Sequence, residues 1–297
     1  MRDRDSLRRF LFEQYPIRGH LVHLDAAWRA LIEHREYPEA IRDTLGEAVA
    51  ASLLLAATIK FEGVLSLQLQ GDGPMHLLLA QCTSNLGVRG LARYREDESL
   101  NGLKVGDLTG SGNLTVTLEN NDLAQRYQGI VPITGARLAE SLQVYFQNSE
   151  QLPTRLWLHS DTQGASGMLL QKLPAANSPG AAHAAAEDAW QRVQLLGETL
   201  STDELHTLAD AQILHRLFHE DDVRVFEPSP VYFRCRCTRE RVSGMLQGLG
   251  ETETRSVLEE RGAVEVRCDF CNRAYVFDAV DIAQLFTAAV PSGGTMH

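Results

Sequence analysis

Cys235-Arg236-Cys237 and, thirty residues further on, Cys268-Asp269-Phe270-Cys271 decide how this chain is organised. Two tight pairs of thiols form a cage for a single tetrahedral ion, and the ion this donor set and spacing call for is zinc. Zinc–sulfur bonds of about 2.3 Å put neighbouring sulfurs about 3.8 Å apart, whereas a disulfide needs about 2.05 Å. The quartet can therefore hold a metal or, once an oxidant ejects it, close into disulfides. Arg234, Arg236, Arg239 and Arg241 surround the first pair, and Arg267 and Arg273 flank the second. Their charge offsets that of a four-thiolate zinc centre and favours reactive thiolates if the metal leaves. A solvated arginine-rich face, or a weak nucleic-acid footprint, is the competing reading.

Around these pairs the sequence predicts a small module over residues 231–297. Thr238 is placed to cap a helix on which Val242, Met245, Leu246 and Leu249 share one face, and Gly250 ends it. Val264 and Val266 alternate into Cys268, Tyr275 and Phe277 alternate out of Cys271, and Asp278 caps a last helix through Phe286. The second pair thus belongs on a knuckle between two strands.

Upstream, residues 175–230 read as a helical, metastable linker. Composition changes after Pro174 to Ala-Ala-Asn-Ser-Pro-Gly and then to an alanine-rich run. Helical spacing joins Trp190, Val193 and Leu196. A second helix opens at Ser201-Thr-Asp-Glu204 with capping-box spacing, and Leu205, Leu208, Leu214 and Leu217 form its apolar face. Two such helices cannot bury these faces alone, so they must rest on the first domain or on the cysteine module.

Residues 1–174 predict an α+β core domain. Ile17 to Leu24 alternates as a strand, and Tyr37-Pro38 introduces an apolar-faced helix from Glu39 to Lys60. Leu65, Leu67 and Leu69 point one way, Gly71-Asp-Gly-Pro74 turns the chain, and Met75 to Cys82 returns as the second arm of a hairpin. Further strands are expected at Val88–Tyr94, Leu114–Leu118, Leu156–His159 and Met168–Gln171, with a helix from Ala136 to Phe146.

Composition narrows the function classes. With 297 residues and 44% hydrophobic content the chain has room for two or three cored domains. Its net charge is −11, and Lys60, Lys104 and Lys172 are its only lysines, a poor balance for gripping nucleic acid. Five cysteines are an odd number, and the opening Met1-Arg-Asp-Arg-Asp-Ser6 is charged where a secretory peptide is apolar, so a reducing cytoplasm is the expected location. The most apolar run, Ala48 to Ile59, is too short to span a membrane and suits a buried helix. Cys82 reads as a small core residue. His215 and His219, one helical turn apart, lack a third ligand and belong to a solvent-facing helix. Gly71-Asp-Gly73 and Gly110-Ser-Gly112 lack the flanking residues of phosphate loops and read as turns. No serine elbow, paired-carboxylate motif or kinase signature nominates an enzyme.

Several segments together resemble one family, the redox-regulated 33 kDa heat-shock chaperones. The likeness spans nearly the whole chain and rests on Lys60-Phe-Glu-Gly63, Gln68-Leu-Gln-Gly-Asp-Gly-Pro74, Tyr127-Gln-Gly-Ile-Val-Pro132 and Ser149-Glu-Gln-Leu-Pro-Thr154. Above all it rests on the C-x-C and C-x-x-C pairs, with Thr238-Arg-Glu-Arg-Val242 after the first. Arg236 departs from the pattern, being a bulky cation where a small polar residue is expected.

The resemblance implies an ATP-independent holdase, inactive while reduced and bound to one zinc ion per chain, and activated by oxidants together with mild unfolding stress. It implies that Cys235, Cys237, Cys268 and Cys271 are the zinc ligands and the redox switch, pairing when oxidised as Cys235 with Cys237 and Cys268 with Cys271. It also implies a homodimer on activation through the first domain, unfolded proteins as clients, and their release to ATP-dependent foldases. On this reading, loss of the metal unfolds residues 231–297 and lets the linker open, exposing Trp190, Leu205, Leu208, Leu214 and Leu217 as candidate client contacts.

Two rivals remain. A constitutive zinc ribbon that binds nucleic acid or the ribosome requires a strongly positive module, but residues 231–297 carry eight arginines against nine acidic residues. A thiol oxidoreductase using Cys268 and Cys271 requires that pair at the start of a helix, whereas strands are expected on both sides.

Overall fold

The computed structural model describes residues 4–96, 100, 102–120, 126–174 and 181–287, excepting the side chains of 181–183. The 175–180 stretch where the linker was expected to begin lies outside the described residues. Chain contacts define two units, Met1–Arg234 and Cys235–His297.

The first unit begins with β1 (Ser6–Phe12), β2 (Ile17–Leu24), α1 (Ala26–Ile32) and α2 (Glu39–Thr58). There follow β3 (Gly63–Gln70), β4 (Met75–Thr83), β5 (Gly87–Tyr94), α3 (Val105–Thr109), β6 (Asn113–Asn120) and β7 (Arg126–Pro132). Next come α4 (Leu138–Tyr145), running on into a π-helical turn at Phe146–Glu150, then β8 (Thr154–Ser160) and β9 (Ala165–Lys172). The helices α5 (Ala181–Glu198), α6 (Thr202–Thr207) and α7 (Asp210–Phe218) lead to the short strands β10 (Val223–Val225), β11 (Ser229–Pro230) and β12 (Tyr232–Phe233).

Two sheets enclose α2. The first has the order β10-β1-β2-β9-β8, with β11 also pairing β1, and the second the order β12-β5-β4-β3-β6-β7. All pairings are antiparallel except that of β12 with β5. Helix α2 touches β2, β8 and β9 of one sheet and β3, β4 and β5 of the other. It is accordingly apolar nearly all round, burying Leu45, Ala48, Val49, Ala50, Ala51, Leu53 and Leu54. Gly46 lets the helix approach β8, since a Cβ there would lie 1.9 Å from Ser160 Oγ. The period-2 pattern of β3 buries Leu65, Leu67 and Leu69 against α2, and the expected hairpin with β4 forms in the register Leu67↔Ala80. Cys82 is fully buried in this core, where burial pushes its thiol up to about 12. The two Gly-x-Gly stretches are turns that brace one another: Gly73 N–H donates to Thr109 O at 2.9 Å, and Ser111 N–H to Asp72 Oδ1 at 2.7 Å.

The outer face of the first sheet is covered by α5, α6 and α7. Phe10, Phe12, Ile17, Leu21, Met168 and Leu170 from β1, β2 and β9 form one apolar cluster with Trp190, Val193, Leu205, Ile213, Leu214, Leu217 and Phe218. The helices of the expected linker thus rest on the first domain. The second expected helix is in fact two. Leu208 and Ala209 are extended, with ψ 153 and 152, and they break the helix between α6 and α7. The capping box that starts α6 is present, Glu204 N–H donating to Ser201 Oγ at 3.2 Å and Ser201 N–H to Glu204 Oε2 at 3.1 Å.

The second unit contains α8 (Arg239–Leu249), α9 (Glu251–Arg261), the hairpin of β13 (Val264–Arg267) with β14 (Ala274–Phe277), and α10 (Ala279–Thr287). Its core is small: among the described residues, Val242, Leu246, Val264, Tyr275, Phe277 and Ile282 are the buried members of its apolar cluster. Thr238 Oγ1 accepts from Arg241 N–H, and Asp278 Oδ1 accepts from the N–H groups of Val280 and Asp281, so both expected caps form. Only Val242 and Leu246 of the predicted α8 face are buried. Met245 and Leu249 are about half exposed, because the inward stripe is no wider than one i, i+4 pair.

Candidate metal centre

The four cysteines converge although thirty residues separate the pairs. Cys235 and Cys237 lie in the extended segment before α8, while Cys268 and Cys271 lie on the turn that closes the β13–β14 hairpin. That turn is a knuckle: Cys268 N–H donates to Arg273 O at 3.1 Å and Asn272 N–H to Cys268 O at 2.8 Å. Asn272 takes the left-handed conformation, φ 54, which asparagine tolerates better than most residues. On the opposite side, Tyr275 Oη donates to Cys237 O at 3.1 Å and Arg241 Nη1 to Arg236 O at 3.0 Å. These bonds tie the first pair to the hairpin and to α8.

All four Sγ atoms lie within 4.8 Å of one another. Cys235 Sγ is 3.6 Å from Cys268 Sγ, and Cys237 Sγ is 3.3 Å from Cys271 Sγ. These separations are close to the edge of about 3.8 Å expected for four sulfurs around one tetrahedral ion, so the donor set and its spacing fit a metal bound by thiolates. Burial raises the Cys235 and Cys271 thiols, whereas at Cys237 hydrogen bonds with Tyr275 and the neighbouring thiols outweigh burial and bring it down to about 7. A bound cation stabilises thiolates directly.

Two of the flanking arginines are paired with acidic side chains. Arg239 donates to Asp281 Oδ2 at 2.7 Å and lies over the Phe277 ring at 4.2 Å, and Arg267 pairs with Glu265 at 2.6 Å.

The candidate client residues lie elsewhere, in the first unit. Trp190, Leu205, Leu214 and Leu217 are each at most 5% exposed, and Leu208 is half-buried against the same cluster. In this state they contact the first sheet. Between the same surfaces lies a group of polar residues that the sequence did not single out. Arg8 of β1 donates from Nε to Asp210 Oδ2 at 2.6 Å, and His23 of β2 lies 3.0 Å from Asp210 Oδ1 through Nδ1 and 2.8 Å from Leu205 O through Nε2. The sequence signal for them was slight: a charged residue alternating with Phe10 and Phe12 in β1, and Asp210 in the first turn of an apolar helix. His215 of α7 and His219, just past its end, are exposed with their rings 5.8 Å apart. Among the described residues, no helix is long and apolar enough to cross a membrane.

The family model described as Hsp33 protein matches residues 5–278. A 33 kDa chaperonin of Nitrosococcus oceani is 47% identical over 100% of this chain and 100% of its own length. Another, from Methylobacillus flagellatus, is 45% identical over 98% of this chain and 97% of its own length. The crystal structure of a 33 kDa chaperonin, a heat shock protein 33 homolog from Thermotoga maritima, superposes with a TM-score of 0.79 at 22% identity. That match covers 96% of this chain and 98% of the other, and it establishes a shared fold. From the first strand to the end of the cysteine hairpin, this chain belongs to the Hsp33 protein family.

Proposed function

We propose that this protein is a redox-regulated, ATP-independent holdase whose switch is a zinc ion held by Cys235, Cys237, Cys268 and Cys271. The observation that carries the reading is the convergence of four sulfurs within 4.8 Å in a unit whose apolar cluster has, among the described residues, six buried side chains. Bound zinc supplies about 10–16 kcal/mol to a structural site of this kind, more than so small a core provides alone. An oxidant that takes two electrons from each cysteine pair forms one disulfide per pair, releases the thiol protons not already lost to the metal, and leaves the ion without ligands. The pairs that close are Cys235 with Cys237 and Cys268 with Cys271.

Functionally, residues 175–230 act as a metastable linker between a core domain of residues 1–174 and a switch domain of residues 231–297. Helices α6 and α7 are six and nine residues long, too short to persist in water without their docking surface. Their order therefore depends on packing against β1, β2 and β9, and the chain passes from β12 to Cys235 with one intervening residue. When the switch domain unfolds, β12 is no longer followed by an ordered unit, and α5–α7 undock between their strand anchors β9 and β10. Trp190, Leu205, Leu208, Leu214 and Leu217 then become available to unfolded polypeptides, as do Phe10, Phe12, Leu21 and Met168 on the sheet they had covered. The activated form works as a homodimer through the first unit, in a reducing cytoplasm, and passes its clients to ATP-dependent foldases.

A single peroxide titration of the zinc-loaded protein tests this. Zinc release, proteolytic cleavage within residues 181–218 and suppression of client aggregation should rise together. A protein that loses its zinc and still fails to keep a denatured client dispersed would overturn the reading.

A further inference from the structure

The covering of the first sheet is not uniformly apolar. In β1 the side chains of Arg8, Phe10 and Phe12 share the face toward α5–α7, as Leu21 and His23 do in β2. Phe10, Phe12 and Leu21 join the apolar cluster, while Arg8 and His23 form a polar end to the same face. Asp210, at the first position of α7, inserts its carboxylate between them and is 2% exposed. Arg8 holds one oxygen at 2.6 Å and gives a second bond, at 3.0 Å, to Phe226 O in the segment after β10. His23 reaches the other oxygen at 3.0 Å, and its remaining nitrogen faces the carbonyl of Leu205 in α6 at 2.8 Å. One buried polar cluster, with the Arg8–Asp210 ion pair at its centre, thus joins β1, β2, α6, α7 and the chain beyond β10.

We infer that Arg8, His23 and Asp210 form a buried ionic latch that fixes the position of the α6–α7 covering and sets how readily it leaves the sheet. This rests on the reading that undocking of these helices is the activating step. A buried ion cluster is a device of this kind because its energetics are asymmetric. While intact, the Arg8–Asp210 pair offsets its own desolvation, but removing one charge strands the other in the interface. Apolar contacts allow the helices to slide or repack, whereas the two carboxylate oxygens of Asp210 admit one register against Arg8 and His23. Once water enters, the separated charges are solvated and no longer draw the helices back, so the latch also sharpens the transition between the covered and open states.

Reduced, zinc-loaded protein tests the inference by limited proteolysis mapped to residues 181–218, with bound zinc measured in parallel. Asp210→Asn keeps the shape and removes the charge. Cleavage should become faster by about tenfold or more while the zinc content stays at one ion per chain. The triple variant Arg8→Met/His23→Leu/Asp210→Leu replaces the whole cluster with apolar side chains and should restore protection to the parent level or beyond. The latch is refuted if Asp210→Asn is cleaved at the parent rate, or if the triple variant is cleaved as fast as the single one. Amide exchange of α2 and the second sheet must stay slow in Asp210→Asn, and general loss of protection there also refutes it. If Asp210→Asn opens the linker yet holds no client, the latch stands and the holdase reading falls.

Discussion

Cys237 Sγ lies 3.3 Å from Cys271 Sγ, its counterpart in the other half of the quartet. Proximity therefore does not choose the oxidised pairing, since every sulfur in the cluster lies within 4.8 Å of every other. We expect peptide mapping after peroxide treatment to find Cys235 joined to Cys237 and Cys268 to Cys271. Bridges between the two halves would tie α8 to the hairpin and keep the second unit folded, contrary to the proposed switch.

Removing the metal without oxidation separates the two consequences of peroxide. A strong chelator added to the reduced protein should abolish amide protection in α8, β13, β14 and α10, whose six-residue core is insufficient alone. Protection in α2 and the second sheet should remain. Restoring zinc under reducing conditions should recover the original exchange pattern.

The sheet face beneath the linker gives a packing test. The ring of Phe10 lies where a Cβ on Gly19 would sit, 2.0 Å from its Cζ. Gly19→Ala must push Phe10 into the linker helices, at a cost of about 1–3 kcal/mol for overpacking. Leu217→Ala instead leaves a cavity in the same interface, at a cost of about 2–5 kcal/mol. Both variants should cleave faster in the linker and need less oxidant for half-maximal client protection.

Acid should loosen the same interface through Asp210. Burial works to raise its carboxyl, but hydrogen bonds and charge attraction from His23 and Arg8 outweigh burial and lower it below the ordinary 3.8. A carboxylate depressed in the folded state contributes stability that is complete above its unfolded value of about 3.9 and is lost as pH falls through the folded value. Linker protection measured by amide exchange should therefore decline below pH of about 4, and Asp210→Asn should flatten that part of the profile.

Glu47 predicts the opposite trend. It lines a cavity of about 470 Å³ with Arg137, Arg155, Trp157 and Leu205, and burial followed by the charge of Asp43 raises its carboxyl to about 8. The folded form favours the proton, so the associated stability is complete below the ordinary carboxylate value and declines as pH rises to about 8. Glu47→Gln should leave thermal stability little changed at pH of about 5 and raise it at pH of about 9.

Much of this architecture could be read from local patterns. Leu65, Leu67 and Leu69 marked β3 by alternation, and Ser201 with Glu204, Thr238 and Asp278 marked helix starts through their own hydrogen bonds. The cysteine quartet was legible because two short spacings suffice to specify a tetrahedral donor set. Elements defined by distant partners were not. Strand β1 was obscured by Arg8 and Arg9, one of which serves a carboxylate some two hundred residues away while the other stacks on Phe226 at 4.0 Å. Helix α9 buries only Thr254 and so carries no apolar stripe to detect. The break at Leu208 was hidden because the leucine spacing of α6 and α7 continues across it.

The helices over the first sheet lie between two strands of that same sheet, β9 before them and β10 after. If these helices undock as proposed, a segment pinned at both ends would open as a flap instead of a dangling tail. Its excursions would be bounded by the two strands, which would keep the effective concentration for reclosure high without any partner in solution. A captured polypeptide would be enclosed between flap and sheet, and the same tethering would drive its expulsion once the flap is pulled shut.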